Sequence, residues 1–177
     1  TMMDSRLGYK YTITKEGVQI HSAYMMKTPK DGRLEIPGKI WGKPVILVRL
    51  SGLPDGVTSV HIPDSVSSIG DACFSGCKSL VSVRLPEGLT KINDYMFSGC
   101  ESLREINLPN TIASIGRDGF AYCQSLKEVV MPKALKFLGD RAFCDATSLK
   151  KVAFNSKLKK IEFAAFNTCT ALTELYI

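Results

Sequence analysis

Five leucines, Leu80, Leu103, Leu126, Leu149 and Leu172, stand 23 residues apart, and this period constrains the chain more than any other feature. Other positions repeat in step with them. Phe74, Phe97, Phe120, Phe143 and Phe166 form a second column, and Pro63, Pro86, Pro109 and Pro132 a third, broken by Asn155. Four more columns are apolar throughout: Val60/Val83/Ile106/Val129/Val152/Leu175, Ile62/Leu85/Leu108/Met131/Phe154/Ile177, Val66/Leu89/Ile112/Leu135/Leu158 and Ile69/Ile92/Ile115/Leu138/Ile161. A unit this short cannot enclose a core of its own. Each copy is stable only against its neighbours, so the chain must stack into a solenoid.

The local logic of one unit follows from residue type. Leu80–Pro86 alternates, which turns Val83 and Leu85 inward and Ser82 and Arg84 outward, and Pro86 ends the strand because it has no N–H to donate. Leu89 and Ile92 supply two more inward anchors on a short strand at the back of the coil. Gly70, Gly116 and Gly139 follow and are expected to permit a turn. The DACFSGCKSL-type stretch is expected to make one turn of helix or 3₁₀ back to the next strand. A period in the low twenties with L-x-x-φ-x-φ is the signature of a leucine-rich repeat. The predicted fold is therefore an α/β-type solenoid, mostly β: a right-handed superhelix with a parallel sheet on the concave face and short turns, 3₁₀ or helical segments on the convex side. Strands stacked at ~4.8 Å would give six rows a face roughly 25 Å long.

The first third reads differently. Short alternating segments, opening at Tyr9, at Gly17 and at Arg33, are separated by the turn sequences Lys15-Glu16-Gly17 and Pro29-Lys30-Asp31-Gly32. Residues 1–33 are expected to form an N-terminal β cap, 34–56 a degenerate first repeat and 57–177 the regular repeats, so that 34–177 make up the repeat domain. Trp41 lies in the transition and is expected to be buried in the packing of the cap.

Two stretches carry a family resemblance: IPDSVSSIGDACFSGCKSL at 62–80 and LPNTIASIGRDGFAYCQSL at 108–126. They are similar to the repeats of the Treponema pallidum-type, or BspA-like, leucine-rich repeat class. The resemblance is strong over 57–177 and weak over 34–56, and the hairpin-like cap also resembles that family. Ala146 stands in the cysteine column, Asn93 and Glu162 in the glycine column and Asn155 in the proline column. The resemblance implies a secreted or cell-surface protein of a bacterium, occasionally a protist, often engaged in adhesion to host matrix or other cells. It transfers no particular ligand.

Composition narrows the alternatives. The net charge of +6 is spread along the chain: residues 1–56 hold nine basic and five acidic side chains, and the repeats fourteen and twelve. So mild and dispersed an excess does not name nucleic acid as a partner. No run of eighteen apolar residues exists to span a membrane, and the opening TMMDSRLGYK lacks the marks of a secretion signal. Four of the six cysteines, Cys77, Cys100, Cys123 and Cys169, share one repeat column and read as packing elements; disulfides are the alternative, and neither metal nor cofactor is expected. His21 and His61 have no Ser, Cys or carboxylate partner that the 23-residue register guarantees, and no phosphate loop or dinucleotide motif is present. No enzyme is expected.

Function should then lie where the repeat varies. The outward strand columns read Ser59, Ser82, Glu105, Glu128, Lys151, Glu174 and His61, Arg84, Asn107, Val130, Ala153, Tyr176, with Arg104, Lys127 and Lys150 stacked at the rim. Glu105 and Glu128 would sit side by side, repelling by about 1 kcal/mol in water. One reading is a solvated ion-pair lattice; the other is a protein-recognition face built from His61, Arg84, Glu105, Asn107, Glu128, Val130, Lys151 and Tyr176. Two alternatives come from other surfaces. Leu175, Tyr176 and Ile177 leave a strand edge that could pair chains into a homo-oligomer, and Lys133, Lys136, Lys157, Lys159 and Lys160 could bind anionic glycans weakly. Aromatic interleaving is not evident in that lysine group.

Overall fold

The computed structural model describes residues 2–4, 8–23 and 27–176. The cap opens with an antiparallel sheet of β1 (Met2–Asp4), β2 (Tyr9–Ile13) and β3 (Val18–Ser22). Both expected turns form: Thr14 N–H donates to Gly17 O at 2.8 Å between the second and third strands, and Gly32 N–H to Pro29 O at 2.9 Å before the repeats begin. The expected second segment ran on through Tyr24–Met26, which lie outside the described residues.

Two rows of parallel strands then run along the solenoid, each interrupted once in its strand pairing. The front ladder starts at β4 (Arg33–Glu35), before the regular repeats. It continues through β7 (Ser59–His61), β9 (Ser82–Arg84), β11 (Glu105–Ile106), β13 (Glu128–Val130), β15 (Lys151–Ala153) and β17 (Glu174–Tyr176). Leu34 pairs in register with Val60, so the degenerate repeat joins the ladder at an offset of 26 residues. The second ladder begins in the cap, where β5 (Lys39–Ile40) and β6 (Lys43–Val48) form a hairpin absent from the sequence expectation. β6 pairs with β3 on one side and with β8 (Ser68–Ile69) on the other, carrying the cap sheet into the repeats. β10 (Lys91–Ile92), β12 (Ser114–Ile115), β14 (Phe137–Leu138) and β16 (Lys160–Ile161) continue the row as a separate four-stranded parallel sheet.

Between the two rows the apolar columns are packed inward, buried or partly buried except in the last coils, where Ile161 and Leu175 are exposed, and the phenylalanines form a continuous ring stack. Successive centroids from Phe74 to Phe166 lie 5.4, 5.2, 5.1 and 5.6 Å apart. Thiols line the stack: Cys100, Cys123 and Cys169 donate to the carbonyls of Phe74, Phe97 and Phe143 at 3.1, 3.2 and 3.1 Å. The column that read as packing is thus also a hydrogen-bonding column, and burial pushes its thiols up: Cys123 to about 12, Cys169 to about 11. Where Asn155 replaces proline, its side-chain amide donates to Pro132 O at 2.7 Å and bridges to the preceding coil.

The convex side corrects two expectations. No helix or 3₁₀ segment forms among the described residues, so the fold is a mostly β solenoid of about seven coils rather than an α/β one. The physical reason lies in where the amides go. Ala72, Phe74 and Gly76 donate to Asp94, Met96 and Ser98 of the next coil, and Phe97, Phe120 and Phe143 likewise donate forward. Alternate N–H groups are therefore committed between coils, which leaves only isolated turns within each segment. Residues in the left-handed region make this possible: Ala72, Tyr95, Asp118, Arg141 and Ala164 have φ of 50–58°. The expected glycine turn is the second correction. Gly116 and Gly139 are not left-handed; they allow coils to touch, and a Cβ on Gly139 would lie 2.6 Å from Gly116 C. On this side Asp118 is buried and held by a two-pronged bond from Arg141, at 3.1 and 3.0 Å.

Candidate functional site

The front ladder places every variable column on one exposed surface, and that surface divides into three parts. At its N-terminal end four side chains satisfy one another. His61 Nδ1 lies 2.6 Å from Glu35 Oε2, Arg84 Nη1 lies 2.8 Å from His61 Nε2, and Arg84 Nη2 lies 3.3 Å from Asp64 Oδ2. A guanidinium can only donate, so His61 Nε2 accepts and the ring proton sits on Nδ1, facing Glu35. The Glu87 N–H, and after it Arg84, hold the Asp64 carboxyl below the usual range. A cavity of about 480 Å³ opens over this group, lined also by Ser59, Ser82 and Asn107. Glu35 was missed because it enters the His61 column at the irregular offset of 26; the pairing Glu35–His61 is a register consequence of β4 beside β7.

The C-terminal end is also internally satisfied. Tyr176 donates to Glu174 Oε2 at 2.8 Å, and Lys151 Nζ lies 3.5 Å from the same oxygen and 5.4 Å from the Tyr176 ring centre. The Tyr176 hydroxyl, then Lys151, lower the Glu174 pKa; Glu174 in turn raises that of the phenol. Tyr176 and Leu175 are exposed, whereas Ile177, the third residue of the expected self-association edge, lies outside the described residues.

The middle differs. β9 and β11 are bridged, and so are β13 and β15, but β11 and β13 belong to separate sheets. Glu105 and Glu128 lie here on neighbouring coils, and a second cavity of about 480 Å³ lies over them, lined by Arg104, Glu105, Asn107, Lys127, Glu128 and Val130. Among the described residues Arg104, Glu105, Lys127, Glu128 and Lys150 form no ion pair. Val130 stands 84% exposed beside them. The ion-pair lattice exists at the two ends and is missing at the centre.

The lysine group is exposed on the flank, with Lys159 N–H bonded to Lys136 O at 2.8 Å. Lys160 is neutralised by Glu162 at 2.6 Å, and Lys133 and Lys157 remain exposed. Contrary to expectation an aromatic ring does stand there: Phe137, in register with Lys160, is half-exposed. His21 Nε2 bonds to Thr12 Oγ1 in the cap, away from the front columns. No group of three or more His, Cys, Asp or Glu side chains is placed to hold a metal ion among the described residues.

The model of the BspA type leucine rich repeat region matches residues 55–173 in six copies. The chain belongs to the BspA-type leucine-rich repeat family. Among solved structures it is similar to the leucine-rich repeat protein of T. pallidum, with 32% identity, a TM-score of 0.87, and coverage of 99% of this chain and 82% of that one. It is also similar to a leucine-rich repeat protein from Bacteroides ovatus (23% identity, TM-score 0.72, 100% of this chain and 53% of that one). A third likeness is to the pneumococcal vaccine antigen PcpA (18% identity, TM-score 0.62, 81% of this chain and 44% of that one). The chain thus spans about half the length of these last two. Among curated proteins none matches. In this BspA-type chain the Phe, Leu and Cys columns account for the scaffold, and the front columns are what vary.

Proposed function

We propose that this chain is a rigid protein-binding module of a bacterial cell-surface or secreted protein, recognising its partner on the front, concave face without covalent chemistry. The observation that carries the reading is the unsatisfied centre of that face. Arg104, Lys127, Glu105 and Glu128 flank a cleft with no ion pair between them, next to an exposed Val130. Charged groups without internal partners, around an exposed apolar anchor, leave their interactions to another molecule. His61, Arg84 and Asn107 on one side, and Lys151 and Tyr176 on the other, extend the contact area along the ladder. Family membership supports binding as the mode of action, and similarity to a vaccine antigen supports a surface location.

The test is binding of labelled protein to immobilised host matrix and to intact cells, before and after trypsin treatment of the target. Combined substitution of Arg84→Ala, Glu128→Ala and Tyr176→Ala should abolish protease-sensitive binding while the circular dichroism spectrum and unfolding midpoint stay close to those of the parent. Undiminished binding by this folded variant would place the partner elsewhere.

A further inference from the structure

Trp41 is the chain's single tryptophan, and the expectation that it is buried in the cap is overturned: it is 64% exposed. It occupies the tip of the β5–β6 hairpin, where Ile40 pairs with Lys43 and Trp41-Gly42 form a two-residue turn. Both turn residues are left-handed, with φ of 52° and 75°. That conformation suits Asn-Gly or Gly-Gly, and a bulky side chain adopts it only against a steric penalty. The turn therefore does not explain the tryptophan. Nor does burial, because a Cβ on Gly42 would meet nothing within 4 Å and the tip projects into solvent.

The indole is nevertheless fixed in place. Its Nε1–H donates to the hydroxyl of the buried Tyr11 at 2.7 Å, so its one polar group is satisfied internally and its apolar ring is what solvent meets. Lys39 and Lys43 flank the turn and are exposed. The β2–β3 turn lies alongside, since Lys43 Nζ donates to Thr14 O at 3.0 Å, and it contributes the exposed Lys15 with Glu16 as the acid beside them. An oriented, apolar, hydrogen-bond-saturated indole among exposed amines suits a bilayer interface: the ring enters the headgroup region and the lysines face anionic lipid phosphates. The exposed Lys15, Lys39 and Lys43 around the ring, with Glu16 as the acid beside them, favour an anionic bilayer over a neutral sugar or an apolar protein pocket.

We propose that the Trp41 hairpin tip docks the chain on an anionic lipid surface. The site lies in the cap and second ladder, apart from the front face, so it stands or falls independently of partner binding there. Because Trp41 is the sole tryptophan, its emission reads the contact directly. Phosphatidylcholine vesicles containing phosphatidylglycerol should shift the emission to the blue, brominated lipid should quench it, and added salt should reverse both effects. Lys39→Glu with Lys43→Glu retains the probe and should weaken partition at least about twentyfold, as each lysine near an anionic surface is worth roughly a fivefold factor. Trp41→Ala, verified as folded by circular dichroism, should lose sedimentation with the vesicles. Emission unchanged by anionic vesicles, an equal shift with pure phosphatidylcholine, or a shift with heparin but none with vesicles would each overturn the proposal.

Discussion

Phe120→Ala is the perturbation that bears most directly on how the coils hold together. The ring is fully buried and stacks on Phe97 at 5.2 Å and on Phe143 at 5.1 Å, so its loss breaks the aromatic column at its middle. Removing a buried phenylalanine costs about 3–5 kcal/mol, and the ring-stacking preference adds about 0.5–1.5 kcal/mol per lost pair. With two pairs lost we expect a loss of about 4–8 kcal/mol. Phe166→Ala supplies the comparison, because that ring is only half-buried and stacks on a single column neighbour, Phe143 at 5.6 Å, with Phe154 edge-on at 6.1 Å. Its loss should be roughly half as large. A solenoid is stabilised by nearest-neighbour interfaces, so a weakened central interface should also uncouple the two halves. The assay is urea unfolding followed by circular dichroism, which reports the whole ladder, and by Trp41 emission, which reports the cap. In the parent the two curves should coincide; in Phe120→Ala they should separate. A loss under about 1 kcal/mol with coincident curves would refute the reasoning.

Three further outcomes follow from the same contacts. Gly139→Ala should lower stability by about 1–3 kcal/mol, because the new methyl meets backbone at Gly116 C, 2.6 Å away, whereas Gly88→Ala, with nothing within 4 Å, should be close to neutral in the same denaturation assay. Stability should fall as pH rises above about 8.5, where the thiols of the unfolded chain lose their protons, while folded Cys73 and Cys123 hold theirs to about 12. The unfolded state then binds fewer protons than the folded one, so the slope is negative from about 8.5 to about 12; a flat thermal midpoint across that window would contradict it. Arg141→Ala should leave the buried Asp118 carboxylate without its two-pronged partner and lower the urea midpoint more than Asp118→Ala, which leaves only a half-exposed guanidinium; equal midpoints for the two variants would contradict this.

Much of the scaffold was legible because it depends on side-chain size repeated in register. The Phe and Leu columns, the inward Val83 and Leu85 and the short back strand at Lys91–Ile92 all follow from alternation and period. What escaped depends on backbone geometry or on an irregular spacing. Ala72, Tyr95 and Arg141 carry no mark of a left-handed conformation, so forward donation of their coils' amides could not be read, and a helical turn was the natural expectation. Glu35 sits 26 residues before His61 instead of 23, which hid the carboxylate partner of that histidine. Trp41 was assigned to the interior on size alone, since nothing in Lys39–Lys43 announces a two-residue turn of the left-handed kind without Asn or Asp. The front columns themselves were correctly outward, yet the opening between β11 and β13 needed the structure.

The central claim, that binding belongs to the front ladder, is tested most directly by hydrogen–deuterium exchange of the chain with and without the protease-sensitive partner. The account predicts that added protection will concentrate on 104–107, 127–130 and 150–153, around the unpaired charges of the opening. Protection confined to the second ladder, at 91–92, 114–115 and 137–138, with the front strands unchanged, would contradict it.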